Sequence, residues 1–168
     1  HHFEGHTELL AHLTGMRDAV MMLAHGPMRV SHVTTHCPIG EVPSRITPVR
    51  LRRVFDVTLD ALECLGFEKP RLAIAALNPH AGEGGILGKE DDLIIAPVIK
   101  EYVDKGYDVT GPVPGDTVFI KLRAQQFDAV VAMTQGGPGG ASDVPATFIM
   151  DHLFGRANIA LASAGSVV

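Results

Sequence analysis

Two short apolar runs, residues 71–77 and 127–133, constrain the fold more than any other feature of the chain. The first is closed off by Pro70 on one side and Asn78-Pro79 on the other. Runs of this length with no polar alternation suit strands covered on both faces. The stretch between them holds a helical segment at residues 90–105, which contains Pro97 and stops at Gly106, then a short strand at 107–109 and a helix at 117–123. Crossovers of that length join parallel strands, because antiparallel neighbours need only a tight turn. The chain is therefore read as α/β, a three-layer α/β/α arrangement around a parallel or mixed sheet.

The segment before residue 71 supplies further layers. Thr7 is placed to cap a short helix that ends near Gly15. Residues 19–23 and 29–35 are β-compatible and flank Gly26-Pro27, the signature of a hairpin turn. Thr47-Pro48 combines a capping hydroxyl with proline in the first helical turn, which announces a helix running to about residue 65. Along it Leu51, Val54, Phe55, Leu59, Leu62 and Leu65 form one stripe, and Arg50, Arg52, Arg53, Asp56, Asp60 and Glu63 fill much of the rest. Such a helix packs on a sheet.

Composition excludes several classes of function. With 168 residues, 46% hydrophobic and 20% charged, the chain can build a core, and its length argues for one domain or a piece of a larger one. No apolar run reaches the roughly 18 residues that a membrane-spanning helix needs. A net charge of −5 gives no basic footprint for nucleic acid. Two cysteines, Cys37 and Cys64, make no disulfide framework and are read as inert thiols; with no signal-peptide pattern, a reducing cytoplasm is expected.

The densest chemistry lies in Asn78-Pro79-His80-Ala81-Gly82-Glu83-Gly84-Gly85, directly after a buried strand. Ligands in open α/β sheets bind outside the carboxyl ends of strands. His80 there is either a metal ligand or a general acid/base oriented by Glu83, or it simply bonds backbone in a tight turn. Glycines 82, 84 and 85 let backbone approach a ligand. The loop is no phosphate-binding P-loop, since the Lys-Ser/Thr pair is missing. His6, in Gly5-His6-Thr7-Glu8, stands at a helix entrance beside a hydroxyl and a carboxylate, where capping is the plainer reading. His32 and His36, four apart on an extended segment, are read as two residues of one strand face and not as a metal pair. His12 and His25 are expected at the surface. Asp116-Thr117 is read as a helix cap, and the glycines at 136–140 lack the spacing of a dinucleotide fingerprint.

In order along the chain, these pieces resemble one family. Gly5-His6-Thr7-Glu8, Val30-Ser31-His32-Val33-Thr34-Thr35-His36 with Val42-Pro43 and Ile46-Thr47-Pro48, Leu77-Asn78-Pro79-His80-Ala81-Gly82-Glu83-Gly84-Gly85, Gly111-Pro112 to Asp116-Thr117-Val118-Phe119, and Asp128-Ala129-Val130-Val131-Ala132-Met133 together resemble 4-hydroxythreonine-4-phosphate dehydrogenase of pyridoxal phosphate biosynthesis. The likeness runs from about residue 2 to 133, with a weaker echo at 154–161. It implies an isocitrate/isopropylmalate dehydrogenase-like fold of which residues 1–168 make only part, the family's N-terminal portion being absent.

The resemblance further implies an NAD- or NADP-linked, metal-dependent oxidation of 4-phosphohydroxy-L-threonine, followed by decarboxylation. Related dehydrogenases of threonate or erythronate 4-phosphate, or of aromatic cis-dihydrodiols, share the motifs; an inactive binding or dimerisation module is the alternative from another class. The implied cofactors are NAD or NADP and a divalent ion (Zn, Mg or Co). The implied partners are a small phosphorylated hydroxy acid and a second subunit, in a homodimer that shares the metal site. His6 and His80 match two of the family's three metal histidines, and Asn158 its substrate-binding asparagine. The third motif is not matched, because Ala132-Met133 is followed by Thr134-Gln135-Gly136-Gly137; His152 is the remaining candidate from that stretch. The substrate lysine has no counterpart, and neither a catalytic nor a cofactor-binding residue is assigned.

Overall fold

The computed structural model describes residues 5–16 and 19–134. In chain order these form helix α1 (His6–Thr14), strands β1 (Met22–His25) and β2 (Met28–His32), a single turn α2 (Val42–Arg45), helix α3 (Pro48–Cys64), strand β3 (Arg71–Ala75), helix α4 (Ala96–Asp104), strand β4 (Asp108–Val113), helix α5 (Gly115–Arg123) and strand β5 (Ala129–Ala132). The sheet order is β1-β2-β5-β3-β4, with β2, β5, β3 and β4 parallel and β1 antiparallel to β2. The sheet is thus mixed, and among the described residues the hairpin supplies its one reversed strand.

Both apolar runs lie inside the sheet and are covered on both faces. Leu72 and Ile74 of β3, with Ala129 and Val131 of β5, pack in the cluster with α3 and α4, while Ala73, Ala75 and Val130 pack with Val118, Phe119 and Leu122 of α5. This alternation produces the three layers. Each large aliphatic side chain so buried contributes on the order of 2 kcal/mol. Two charged contacts tie neighbouring elements: Arg71 at the start of β3 grips Asp128, just before β5, through both guanidinium and backbone nitrogens (2.8–3.1 Å), and Arg52 of α3 holds Glu101 of α4 at 2.7 and 2.8 Å. Arg71 holds the Asp128 carboxyl below its usual range.

Local signals hold where they are physically strongest. Thr47 caps α3, its side chain accepting from the Arg50 N–H at 3.2 Å, with Pro48 in the first turn. Replacing Thr47 by alanine is expected to destabilise the protein by about 1 kcal/mol, read from the midpoint of chemical denaturation; an unchanged midpoint would show that the cap contributes nothing. Gly26, at φ +55°, closes the β1–β2 hairpin, in which His25 pairs with Met28. Several boundaries differ from expectation. The hairpin strands sit at Met22–His25 and Met28–His32, and Leu65 leaves the stripe as the exposed C-cap of α3. Thr58 takes a place on that face, its hydroxyl donating to Ser31 Oγ of β2 at 2.8 Å. Helix α1 is capped by Gly5, and Thr7 makes no cap.

Strand β4 extends to Val113, through Gly111-Pro112, a pair that reads as a breaker. Among the described residues it is an edge strand, where a missing N–H leaves no partner unpaired. Pro97 enters the first turn of α4, and the five residues before it, Asp91–Ile95, form a wide π turn. A proline ring crowds the carbonyl four residues earlier and cannot bond it, and the wider turn accommodates both demands.

Candidate active site

The carboxyl ends of β2, β5, β3 and β4 share one edge of the sheet, and the loop leaving β3 carries the His80 string there. Its backbone is left-handed from His80 to Gly85, with φ values of 51°, 55°, 80°, 46°, 67° and 90°. Three of the six, His80, Ala81 and Glu83, carry side chains, and each pays roughly 1 kcal/mol for that conformation. Strain of this kind persists only where surrounding contacts impose it. Gly82 and Gly88 are required by space as well as by φ, since a Cβ on Gly88 would lie 2.4 Å from Asn78 Nδ2 and one on Gly82 would lie 2.8 Å from the Gly88 carbonyl oxygen. The two glycines therefore fold the loop onto itself, whereas Gly84 faces open space.

The anchor of the loop is Asp91, fully buried at the start of the π turn. Its Oδ1 accepts from the Leu77 N–H at 2.8 Å, and its Oδ2 accepts from the Asn78 N–H at 2.9 Å and from Asn78 Nδ2 at 3.0 Å. Asn78 Nδ2 also donates to Glu90 Oε2 at 2.9 Å. That bond holds the Glu90 carboxyl below its usual range. His80 lies beyond this anchor, exposed, with its imidazole in no hydrogen bond among the described residues. Glu83 does not orient it: the Glu83 side chain is exposed, and its backbone N–H donates to the His80 carbonyl at 3.2 Å.

His6 is the first residue of α1 and is exposed. Its helix is tied to the segment after β2 by Glu8, which accepts from Thr35 Oγ1 at 3.0 Å and lies 3.6 Å from His36 Nδ1. A Cβ on Gly5 would fall 2.3 Å from His36 Cε1, so a side chain there would have to displace the His36 imidazole. His36 is at φ 42°, beyond the end of β2, so it shares no strand face with His32. His32 closes β2, fully buried on the side of α5, and neither ring nitrogen finds a well-formed hydrogen bond. Burial pushes this imidazole down to about 4, opposed by a smaller pull from the Met21 carbonyl.

Other expected residues fall as follows. Asp116 caps nothing: Pro114 precedes α5, and the buried Asp116 Oδ1 has no partner. Cys37 is half-buried and Cys64 exposed, both as free thiols. His12 and His25 are at the surface. Asn158, His152 and the glycines at 136–140 lie outside the described residues. Among the described residues no three His, Cys, Asp or Glu side chains converge to hold a metal. The donor chemistry of His6 and His80, two exposed imidazoles, fits a divalent ion, and any further donor has to come from elsewhere.

The family model described as "Pyridoxal phosphate biosynthetic protein PdxA" matches residues 1–134, from α1 through β5. The chain belongs to this family. Within the PdxA family, it is 64% identical over 133 residues to a putative D-threonate 4-phosphate dehydrogenase of Bradyrhizobium diazoefficiens, covering 79% of this chain and 39% of the relative. It is 46% identical over 134 residues to 4-hydroxythreonine-4-phosphate dehydrogenase of Paracoccus denitrificans, covering 77% and 42%. The crystal structure of 4-hydroxythreonine-4-phosphate dehydrogenase from Klebsiella pneumoniae superposes with a TM-score of 0.74 at 42% identity, over 80% of this chain and 40% of that one. The PdxA architecture is thereby shown for α1 to β5, as a partial dehydrogenase-like fold. The chain spans about two fifths of the length of the curated relatives it matches. His6 and His80 lie within the PdxA match, and Asn158 lies beyond it.

Proposed function

We propose that this chain forms part of an NAD- or NADP-linked dehydrogenase of a four-carbon, 4-phosphorylated hydroxy acid, with D-threonate 4-phosphate the preferred substrate. The observation that carries the reading is the 64% identity to the relative named as a putative D-threonate 4-phosphate dehydrogenase; the D-threonate 4-phosphate dehydrogenase of Salmonella typhimurium, at 43%, and the 4-hydroxythreonine-4-phosphate dehydrogenases, at 45–46%, are similarly distant. The motifs put 4-phosphohydroxy-L-threonine first without choosing between the two, and relatives of both names match the chain. The two substrates differ at carbon 2, a hydroxyl in one and an amine in the other, so selection between them rests on one hydrogen-bonding group.

In the proposed reaction the secondary alcohol loses hydride to the nicotinamide and its hydroxyl proton to a base. The resulting β-keto acid then releases carbon dioxide. A divalent ion, when bound, supplies Lewis acidity at the alcohol oxygen. His6 and His80 would hold it, His80 from a preset loop at the sheet edge and His6 from the start of α1. Asn158 would contact substrate. A homodimer completing the site across subunits, and a cytoplasmic setting, belong to the same reading. No helix among the described residues is long and apolar enough to cross a membrane.

The test is reduced-nicotinamide formation by purified protein with Co²⁺, Mg²⁺ or Zn²⁺ and each substrate in turn. Turnover with D-threonate 4-phosphate is expected at a kcat/KM at least tenfold above that for 4-phosphohydroxy-L-threonine. His80→Ala is expected to lower it at least 100-fold, about 3 kcal/mol of transition-state stabilisation. Absence of turnover with either substrate would favour a binding or dimerisation module, and undiminished turnover by His80→Ala would remove the histidine from the site.

A further inference from the structure

We infer that Asp91 is a positioning residue, which sets the place of His80 through its hold on the start of the Asn78–Gly88 loop; the inference rests on the metal-binding role proposed for His80. A fully buried carboxylate ordinarily takes a cationic partner, because removing a charge from water is expensive. Among the described residues, no lysine, arginine or histidine forms an ion pair with Asp91. Both of its oxygens are spent on the loop instead, on the backbone N–H groups of Leu77 and Asn78 and on the Asn78 side chain. His80 follows Asn78 by two residues, and its left-handed φ of 51° begins the strained run.

The other end of the loop closes on the same point. Gly88 packs so tightly against the Asn78 amide that no Cβ fits between them, and Gly82 sits within 3.8 Å of Asp91 Oδ2, measured from the Cβ it would carry. Asp91, Asn78, Gly82 and Gly88 thus form one knot, and His80 projects from it as an exposed imidazole. Asp91 also opens the π turn that precedes Pro97. The wide turn and the loop therefore meet at a single carboxylate, which transmits the position of the α4 helix to His80. An amide in its place cannot reproduce this, since one of its two arms would turn N–H groups toward N–H groups.

Co²⁺ alone is the probe, followed by titration calorimetry and by its visible absorption spectrum, which reports ligand geometry. Asp91→Asn and Asn78→Ala are compared with wild type, with His80→Ala and with Asp92→Asn, an exposed carboxylate one residue away. Asp91→Asn is expected to weaken Co²⁺ binding about 10–100-fold and to shift the visible bands, while Asp92→Asn leaves both unchanged. Asn78→Ala, which removes only the side-chain arm, is expected to weaken binding several-fold and keeps the test decisive if Asp91→Asn fails to fold. Wild-type affinity and spectrum in folded Asp91→Asn, or in Asn78→Ala where the first does not fold, with binding lost in His80→Ala, would overturn the positioning role alone. Wild-type Co²⁺ binding by His80→Ala would overturn the metal role of His80 and the inference with it.

Discussion

Acidification from pH 6.5 to about 4 is expected to remove on the order of 3 kcal/mol of folding stability through His32 alone. The imidazole is fully buried at the end of β2, on the face that carries Val30, Ala132 and the apolar side of α5, where a charge has no solvent. In the folded protein it stays neutral down to about pH 4, whereas in the unfolded chain it takes a proton near pH 6.5. Between those values the unfolded state binds the extra proton, so stability rises with pH across the window and is flat with respect to this group above it. Asp128, whose pKa is lowered by Arg71, and Glu101, lowered by Arg52, lose their contributions only further into acid, as pH falls through their depressed values. Urea denaturation at a series of pH values, with His32→Leu beside wild type, isolates the effect. The leucine variant should lack the loss between 6.5 and 4; superimposable acid limbs would show that His32 does not remain neutral on folding.

Gly88→Ala is expected to destabilise the protein by roughly 2–4 kcal/mol, a large effect for the addition of one methyl group. Two terms act together. At φ +137° an alanine is strained whatever space surrounds it, and its Cβ would be placed 2.4–2.6 Å from three atoms of the Asn78 amide. That amide cannot swing aside freely, because Nδ2 donates to both Glu90 and Asp91. Moving it leaves the buried Asp91 oxygen short of a donor. Gly84→Ala serves as the control, with positive φ but nothing within 4 Å of its Cβ, and should cost about 1 kcal/mol. Equal midpoints for the two variants in urea would mean that the packing of Asn78 on Gly88 contributes no stability.

The parts of the fold that were legible in the sequence are those encoded by neighbouring residues. Thr47-Pro48 and the leucine stripe announce α3 because cap, first turn and buried face all lie within one helix. Gly26-Pro27 announces the hairpin for the same reason. The alternation hidden in residues 71–77 becomes visible only once helices lie on both faces, yet the unbroken apolar stretch from Leu72 to Leu77 already pointed to that burial. What could not be read depends on distant partners. Asp91 looks like an ordinary acidic residue in a first helical turn, and its grip on Leu77 and Asn78 exists only because the loop returns to it. The contact of Glu8 with Thr35 and His36 spans 27 residues to Thr35 and carries no sequence pattern. Edge placement rescued β4, since Gly111-Pro112 would have ended an internal strand. At the site, the string around His80 was conspicuous and the relation to the family followed from it, but the knot that shapes that string was not.

Helix α1 buries none of its nine residues. A helix that short has little stability of its own in water, and its first turn is tied to the segment after β2 through Glu8, Thr35 and the close approach of Gly5 to His36. With no buried residue, its amide protons are expected to exchange long before those of β3 or β5. His6 rides on that element, and His80 on a loop anchored to the buried Asp91. A ligand that engages both would meet one arm already in place and one that it must recruit, and part of its binding energy would go into ordering α1.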